Sequence, residues 1–554
     1  MDEKVDKLID LCGTRNKYQF ILLGISFICW ANNMLTAIGL PFLEKVPEVS
    51  YVNELGMEET NRLNYTICTW DKSRYKISRT FEYSWVIETD IVCDQLKTGL
   101  LGTSTFTGSF CGSILFNLIA DFFGRKKTFI TSITAFIIIN TTLVFFRNYY
   151  AIVVTNFLLN IFAVFTNYSC LLLTEEVTSL KLRGIFGTII NAGFPTCALI
   201  YFPLFNFLKK WQYVFCINST LALLMLLIFS LFSYESPRFF ISQGKISEAL
   251  DVIKDISKFH GLNKRYYHLI ETEEYKEIIQ MLSKGKDDLI DPHVNKEKKQ
   301  NKVNAFALIK YPSLRYKFLI LCYLGFCISG SYNGISISIK NLPGDIYVNG
   351  MLFYSFEVFV GFISGCIINT KFFGRKGTIL CLYFISFVSF LIFLFANLEG
   401  YLKIIVVLFL KFSISGIFSI IYTYFLENYP TSIRALGFGI NTSCDNIGGM
   451  AFPLFIELLS EKQLFFTLAV MNLTQFILML FMPETNGLAL PETIKEIEEE
   501  QKEENNKDEE QKIDKSDDLE EPLLSHSIMT EQSKSMISEK NSLIFNNTNN
   551  NVPK

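Results

Sequence analysis

Apolar residues along this chain gather into blocks of about 20, the length a helix needs to cross roughly 30 Å of hydrocarbon. The pattern predicts twelve membrane helices, near residues 18–40, 97–119, 128–146, 150–173, 185–208, 212–233, 315–338, 348–370, 378–396, 402–425, 435–459 and 462–482. Three polar segments stand apart: a first loop of 41–96, a central loop of 234–314 and a tail of 483–554. In the central loop, Ile246–Phe259 and Tyr266–Leu282 have helical apolar spacing with charges between, which predicts short amphipathic helices. The tail is mostly Glu, Lys, Asp, Asn and Ser, a composition that predicts disorder because it buries too little apolar surface to offset chain entropy. Its Glu520-Glu521-Pro522-Leu523-Leu524 loosely resembles an acidic dileucine sorting signal, at a level that chance also reaches. The expected organisation is a short N-terminus of 1–17, a first bundle of 18–233, the central loop, a second bundle of 315–482 and the tail.

Composition agrees with a membrane body. Of 554 residues, 50% are hydrophobic and only 19% charged; a soluble chain of this length would need more charge to cover its surface and would split into several cores. The net charge of −3 averages a membrane body with polar segments and gives no basis for a nucleic-acid partner. The four histidines, His260, His268, His293 and His526, fall outside the apolar blocks, so no intramembrane His ligand or proton relay is expected. Most of the 13 cysteines lie within apolar blocks, where a small soft side chain packs well. Cys68 and Cys93 share the first loop; an oxidising exterior would permit a disulfide between them, and two free thiols are the alternative. The first apolar block is long enough to span and follows a charged stretch, so no cleavable signal peptide is expected. No metal-ligand pair, no nucleophile–base pairing at membrane depth and no phosphate-binding glycine loop is read, so neither enzyme chemistry nor a cofactor nor a metal is expected.

Orientation follows from basic residues in short loops. Arg125, Lys126 and Lys127 lie between spans two and three, Lys371, Arg375 and Lys376 between spans eight and nine, and Lys181, Arg183 and Arg434 in two further loops of the same side. The positive-inside rule places this side, and both termini, in the cytosol. Asn64-Tyr65-Thr66 then becomes an exoplasmic glycosylation sequon at Asn64.

The strongest signal is self-similarity. Phe122-Phe123-Gly124-Arg125-Lys126 recurs 250 residues later as Phe372-Phe373-Gly374-Arg375-Lys376. Glu176 and Arg183, seven apart, recur 251 residues later as Glu427 and Arg434. Glu235-Ser236 recurs 249 residues later as Glu484-Thr485. Three matches in order at a common spacing predict two duplicated six-helix bundles. Gly124 permits a tight turn; Asp121 can meet a helix N-terminus or an Arg, and Arg125 can pair with Glu176. Ion pairs of this kind, made in one state and broken in another, would act as a latch at the rim. In the second copy Lys371 replaces the acid, so that latch is expected to be absent or wired differently.

These positions resemble the major facilitator superfamily over nearly the whole chain. Asp121-Phe122-Phe123-Gly124-Arg125-Lys126-Lys127 is similar to that family's loop-two motif, with Asn117 where glycine is usual and Phe122 where a basic residue is usual. The resemblance implies an all-α integral membrane fold of twelve helices in two pseudo-symmetric six-helix bundles. Within the superfamily the chain resembles the organic cation/carnitine/organic anion transporters. Glu235-Ser236-Pro237-Arg238, Leu342-Pro343-Gly344-Asp345, Glu427-Asn428-Tyr429-Pro430 and the stretch from Trp85 to Cys93-Asp94 carry that likeness. The glutamine-rich stretch that sugar porters carry in span seven is missing: Tyr323–Ile335 contains no Gln.

Charge at membrane depth bears on the solute. Asp445 lies about ten residues into span eleven, roughly 15 Å down, and Glu357 sits at similar depth in span eight. A lone carboxylate there costs about 2.5–3.5 kcal/mol on the lenient insertion scale, so each must face a cavity or a partner. The spans as drawn are read as holding no Lys or Arg near their middles, and two unpartnered acids predict an electronegative cavity. Cys444-Asp445-Asn446-Ile447-Gly448-Gly449 resembles the cation-transporting branch, which implies a cation-binding role for Asp445. Tyr354, one turn from Glu357, and Tyr332 in span seven are candidate faces for cation–π contact, with plain packing as the alternative for each. The expected function is potential-driven carriage of small organic cations by alternating access, in the plasma membrane ahead of an endomembrane. The alternatives are a proton- or sodium-coupled symporter of zwitterions or sugars, and a non-transporting receptor on the same scaffold. The sequence does not set the oligomeric state.

Overall fold

The structure is a computed structural model that describes residues 17–46, 48–52, 58–62, 75–77, 84–178, 180–243, 245–259, 306–367, 374–396, 398–429 and 433–485. A helix occupies each predicted span. In the first half they are Lys17–Asn33 continued by the short turns Leu35–Ile38 and Leu40–Leu43, then Gln95–Phe123, Arg125–Leu143, Tyr149–Val177, Leu180–Asn191 with Gly193–Leu208, and Trp211–Phe232. The second half holds Pro312–Ser338, Ile346–Ile367, Gly374–Phe395, Tyr401–Glu427, Arg434–Leu458 and Glu461–Leu480. These are called spans one to twelve below. Among the described residues, seven helices are long and apolar enough to cross a membrane by length and composition.

Outward-facing positions carry large apolar side chains, such as Leu231 at 78% and Phe395 at 82% exposure, a surface suited to lipid tails and not to water. Inward-facing positions mix large apolar side chains with small and polar residues, and the small ones let helix backbones approach. A Cβ on Gly448 would fall 2.1 Å from the carbonyl oxygen of Phe326, so only glycine lets span eleven lie against span seven there.

Two features lie outside the helical body. The first loop carries a three-stranded antiparallel sheet in the order β2-β1-β3, with β1 at Glu48–Val52, β2 at Glu58–Arg62 and β3 at Tyr75–Ile77. In the central loop Ile246–Phe259 is a helix with Ala249, Ile253 and Ile256 on its buried face, as its spacing predicts. The second stretch, 266–282, and the tail beyond 485 lie outside the described residues.

The two halves meet through spans two and eleven and through spans five and eight. The Thr103 hydroxyl donates to the Met450 carbonyl at 3.0 Å. Phe42 and Phe202 of the first half pack on Tyr347 and Tyr354 of the second, with ring centroids 4.9 and 5.5 Å apart. These contacts lie toward the end of the bundle that carries the first loop, called the loop end. The opposite end, with Gly124 and Gly374, is the basic rim.

Candidate functional site

At the basic rim the repeated motifs fold into one device used twice. Gly124 has φ +88° and Gly374 φ +60°, a left-handed turn that brings the chain straight into spans three and nine. The carboxylate of Glu235, from the exit of span six, accepts from the amides of Arg125 at 2.9 Å and Lys126 at 3.1 Å. Glu484, at the exit of span twelve, accepts from Arg375 and Lys376, each at 3.0 Å. Each carboxylate thus takes orphan donors at a helix N-terminus, where the helix dipole favours negative charge. A Cβ on Gly124 would stand 2.6 Å from Glu235 Oε2, and one on Gly374 2.5 Å from Glu484 Oε2. Glycine is therefore required both by φ and by the docked acid.

The arginine that follows each glycine reaches sideways. Arg125 pairs with Glu176 of span four at 3.0 Å, and Arg375 pairs with Glu427 of span ten at 2.7 Å. Both pairs join elements of the same half. In these contacts the second copy matches the first, while Lys371 lies outside the described residues. The side chains of Asp121, Arg183 and Arg434 lie outside those described.

The middle of the bundle holds the acids. Asp445 sits near the middle of span eleven and points among spans seven and ten. Its Oδ2 accepts from the Tyr422 hydroxyl at 2.9 Å, and Ser329 lies beside it. Its Oδ1 is buried with no hydrogen-bond partner. From the first half, Tyr168 of span four comes within electrostatic reach of Asp445 and stacks on Trp30 of span one at 6.2 Å. Asp445 therefore faces the interior between the halves, and its partners are hydroxyls, not an arginine.

Glu357 is a different case, and the expectation of two acids without a base fails on it. Lys411 of span ten is fully buried and ion-paired with Glu357 at 3.0 Å. The Lys411 ammonium also donates to the Ser336 hydroxyl at 2.7 Å, and the Tyr332 hydroxyl donates to Glu357 Oε1, likewise at 2.7 Å. Tyr332 and Tyr354, expected as faces for a bound cation, already hold one: Lys411 Nζ stands 3.4 and 4.9 Å from their ring centroids. The rings are 2% and 1% exposed, so packing and the resident ammonium use both faces that a solute would need. Lys411 was legible in the sequence, nine residues into the predicted span 402–425, and a count of charges inside each span finds it.

One aromatic path joins the two centres. Tyr332 stacks on Phe418 at 4.7 Å, and Phe418 meets Tyr422 edge-on at 5.2 Å. Tyr422 holds Asp445, and Tyr332 holds Glu357. A carboxylate with a spare acceptor thus stands two ring contacts from a neutralised Glu357–Lys411 pair.

The remaining expectations concern the first loop. Cys93 is disulfide-bonded, while Cys68 and Asn64 lie outside the described residues. Among the described residues no group of three or more His, Cys, Asp or Glu is arranged to hold a metal.

Comparison with known proteins agrees with this architecture. The profile of the Major Facilitator Superfamily matches residues 22–453. The chain is 26% identical over 471 residues to mouse "Solute carrier family 22 member 21", covering 83% of this chain and 79% of that protein. It is 26% identical over 447 residues to "Organic cation transporter 1" of Caenorhabditis elegans, covering 79% and 73%. With human "Organic cation/carnitine transporter 2" it shares 26% identity over 415 residues, covering 74% and 71%. Among solved structures, the inward open conformation of the xylose transporter XylE from E. coli superposes with a TM-score of 0.57 at 13% identity, covering 85% of this chain and 97% of that one. The partially occluded inward open form gives 0.56 at 13%, covering 84% and 100%. With duplicated bundles, two copies of one rim device and a family profile over most of its length, the chain belongs to the Major Facilitator Superfamily, as a membrane transporter and not an enzyme.

Proposed function

We propose that this transporter carries small organic cations, and that Asp445 is the seat for their positive charge. The observation that carries the reading is the Oδ1 oxygen of Asp445, buried between the halves with no donor of its own. A buried carboxylate is retained at membrane depth only with a partner or a function. The Tyr422 hydroxyl holds one oxygen of Asp445, with Ser329 beside the side chain, without cancelling its charge. A bound cation would do so, and Trp30, Tyr168, Phe418 and Tyr422 offer aromatic edges and faces around it. The names of the relatives, organic cation and organic cation/carnitine transporters, support the same class.

Alternating access between two bundles needs no coupling ion for a cation, because about 2.3 kcal/mol per charge per 100 mV is available from the membrane potential. The basic rim is read as cytosolic, with both termini, and the plasma membrane as the site of action. The rim pairs Arg125–Glu176 and Arg375–Glu427 act in this scheme as braces that keep each half rigid while the halves rock.

A second reading has its own observation. Lys411 lies two ring contacts from Asp445, and a zwitterion could set its ammonium on Asp445 and its carboxylate toward Lys411 in exchange for Glu357. Uptake of a radiolabelled quaternary ammonium by vesicles at set membrane potentials, compared with a radiolabelled betaine, separates the two. Potential-driven ammonium uptake that Asp445→Asn abolishes supports the first reading. Betaine-only uptake requiring Lys411 selects the second, and uptake of neither solute overturns both.

A further inference from the structure

A second set of buried charges lies away from the solute site, at the loop end, and it crosses between the halves. Glu44 follows the last turn of span one in the first half. Lys340 lies just beyond span seven, and Glu457 is near the end of span eleven, both in the second half. The Lys340 ammonium pairs with Glu44 Oε2 at 3.0 Å and with Glu457 Oε1. The three side chains are 6%, 0% and 6% exposed for Lys340, Glu44 and Glu457.

Packing around the triad is tight. Gly102 of span two admits Glu44 where a Cβ would fall 2.6 Å from Glu44 Oε1, and the same Cβ would stand 2.7 Å from Pro453 of span eleven. The seam of spans two and eleven and the triad therefore close as one unit. The closed triad holds two carboxylates and one ammonium. Glu44 Oε1 is buried without a hydrogen-bond partner. A buried ion group is stable only when its charges and lone pairs are matched, and here the second oxygen of Glu44 is left unmatched.

We propose that Glu44, Lys340 and Glu457 form a proton-sensitive gate at the loop end: Lys340 bridges the halves when this end is closed, stays with Glu457 when it opens, and closure takes up a proton on Glu44. Opening separates Glu44 from Lys340 because they belong to different halves, and it returns Glu44 to water, where an ordinary carboxylate is ionised. Burial, opposed by Lys340 and reinforced by Glu457, pushes the Glu44 carboxyl above its usual range. The closed state then binds more protons than the open one, so acid favours closure and alkali favours opening. The other charged groups described at this corner are Lys45, Lys209 and Asp345. Lys45 and Lys209 stand 5.9 and 5.1 Å from the Tyr347 ring, and Asp345 accepts from the Tyr347 amide at 2.7 Å. The inference needs alternating access but not the identity of the solute.

The test is hydrogen–deuterium exchange on the full chain in lipid nanodiscs, read at peptides covering residues 95–105 and 450–458, across pH 5.5 to 8.5 after correction for intrinsic exchange. Wild type is expected to be several-fold better protected at the acid end. Glu44→Gln, which keeps the size and removes the charge, should hold these peptides protected at every pH. Lys340→Met should raise their exchange at alkaline pH, and the swap of Glu44→Lys with Lys340→Glu should bring it back toward wild type. Pro237–Phe259 at the basic rim serves as the internal control and should not follow. The proposal is overturned if Glu44→Gln keeps the wild-type pH profile. It is equally overturned if Lys340→Met changes thermal stability while the protection ratio between the two ends stays as in wild type, for that is a packing role without a gate.

Discussion

The two halves share one rim and differ inside. At the rim, Glu235 with Arg125–Glu176 and Glu484 with Arg375–Glu427 make the same contacts twice. Inside, the first half is held by neutral amides and hydroxyls. Asn218 donates to the Asn32 carbonyl at 2.6 Å and to the Tyr201 hydroxyl at 3.0 Å, and Asn140 donates to Asn218 at 3.0 Å. The second half instead buries ions: Asp445, and Glu357 with Lys411. The difference teaches that mechanical and chemical roles separate along the molecule. A brace works the same way in both halves, so both need it, whereas a single solute needs one charged seat, and the neutral half can form the opposing wall.

This contrast can be broken at four points. The largest effect is expected at the ion pair of the second half. Glu357→Gln leaves Lys411 buried and alone, which should cost about 3–5 kcal/mol. The double variant Glu357→Gln with Lys411→Met should recover most of that loss in thermal unfolding of purified protein; a double variant as unstable as the single one would show that the pair is not the unit. Next comes Asp445→Asn. Losing one charged contact to a bound ammonium should weaken binding by about 1.5–3 kcal/mol, roughly ten- to a hundred-fold, with surface amount unchanged. Scintillation-proximity binding of the labelled cation reads this directly.

In the first half, Asn218→Ala orphans buried partners and should destabilise by about 1–3 kcal/mol while leaving the preference among solutes unaltered. A change in preference would place the amide network at the solute site. The smallest effects should be at the rim: Glu235→Gln and Glu484→Gln should each cost about 0.3–2 kcal/mol and match one another. Unequal losses, measured as shifts in unfolding midpoint, would show that the two copies carry different loads.

Much of this comparison was visible before any coordinates. Apolar blocks give the spans because a helix in lipid must satisfy its backbone internally and cover its length with apolar side chains. The recurrence of Gly124-Arg125 as Gly374-Arg375 marks the duplication, and the recurrence of Glu235 as Glu484 marks the acid of each rim. Its role at a helix N-terminus was not visible, since 110 residues separate Glu235 from the Arg125 amide it meets. Lys411 stands inside the predicted span 402–425, and its pairing with Glu357 leaves Asp445 as the acid without a base. The sheet of the first loop was not foreseen, because Glu58–Arg62 is polar on both faces and Glu48–Val52 is only five residues long.

By itself the chain determined its class, its number of spans, its duplication and the depth of its ionisable groups, since each follows from local composition and from the fixed rise of a helix. Which of those groups meet was decided only by the fold. Helix rotation sets Asp445 toward Tyr422 and Glu357 toward Lys411, and closure of spans two and eleven sets Glu44 against Lys340. Such pairings depend on how helices far apart in sequence turn and pack against one another, and no single span carries that information.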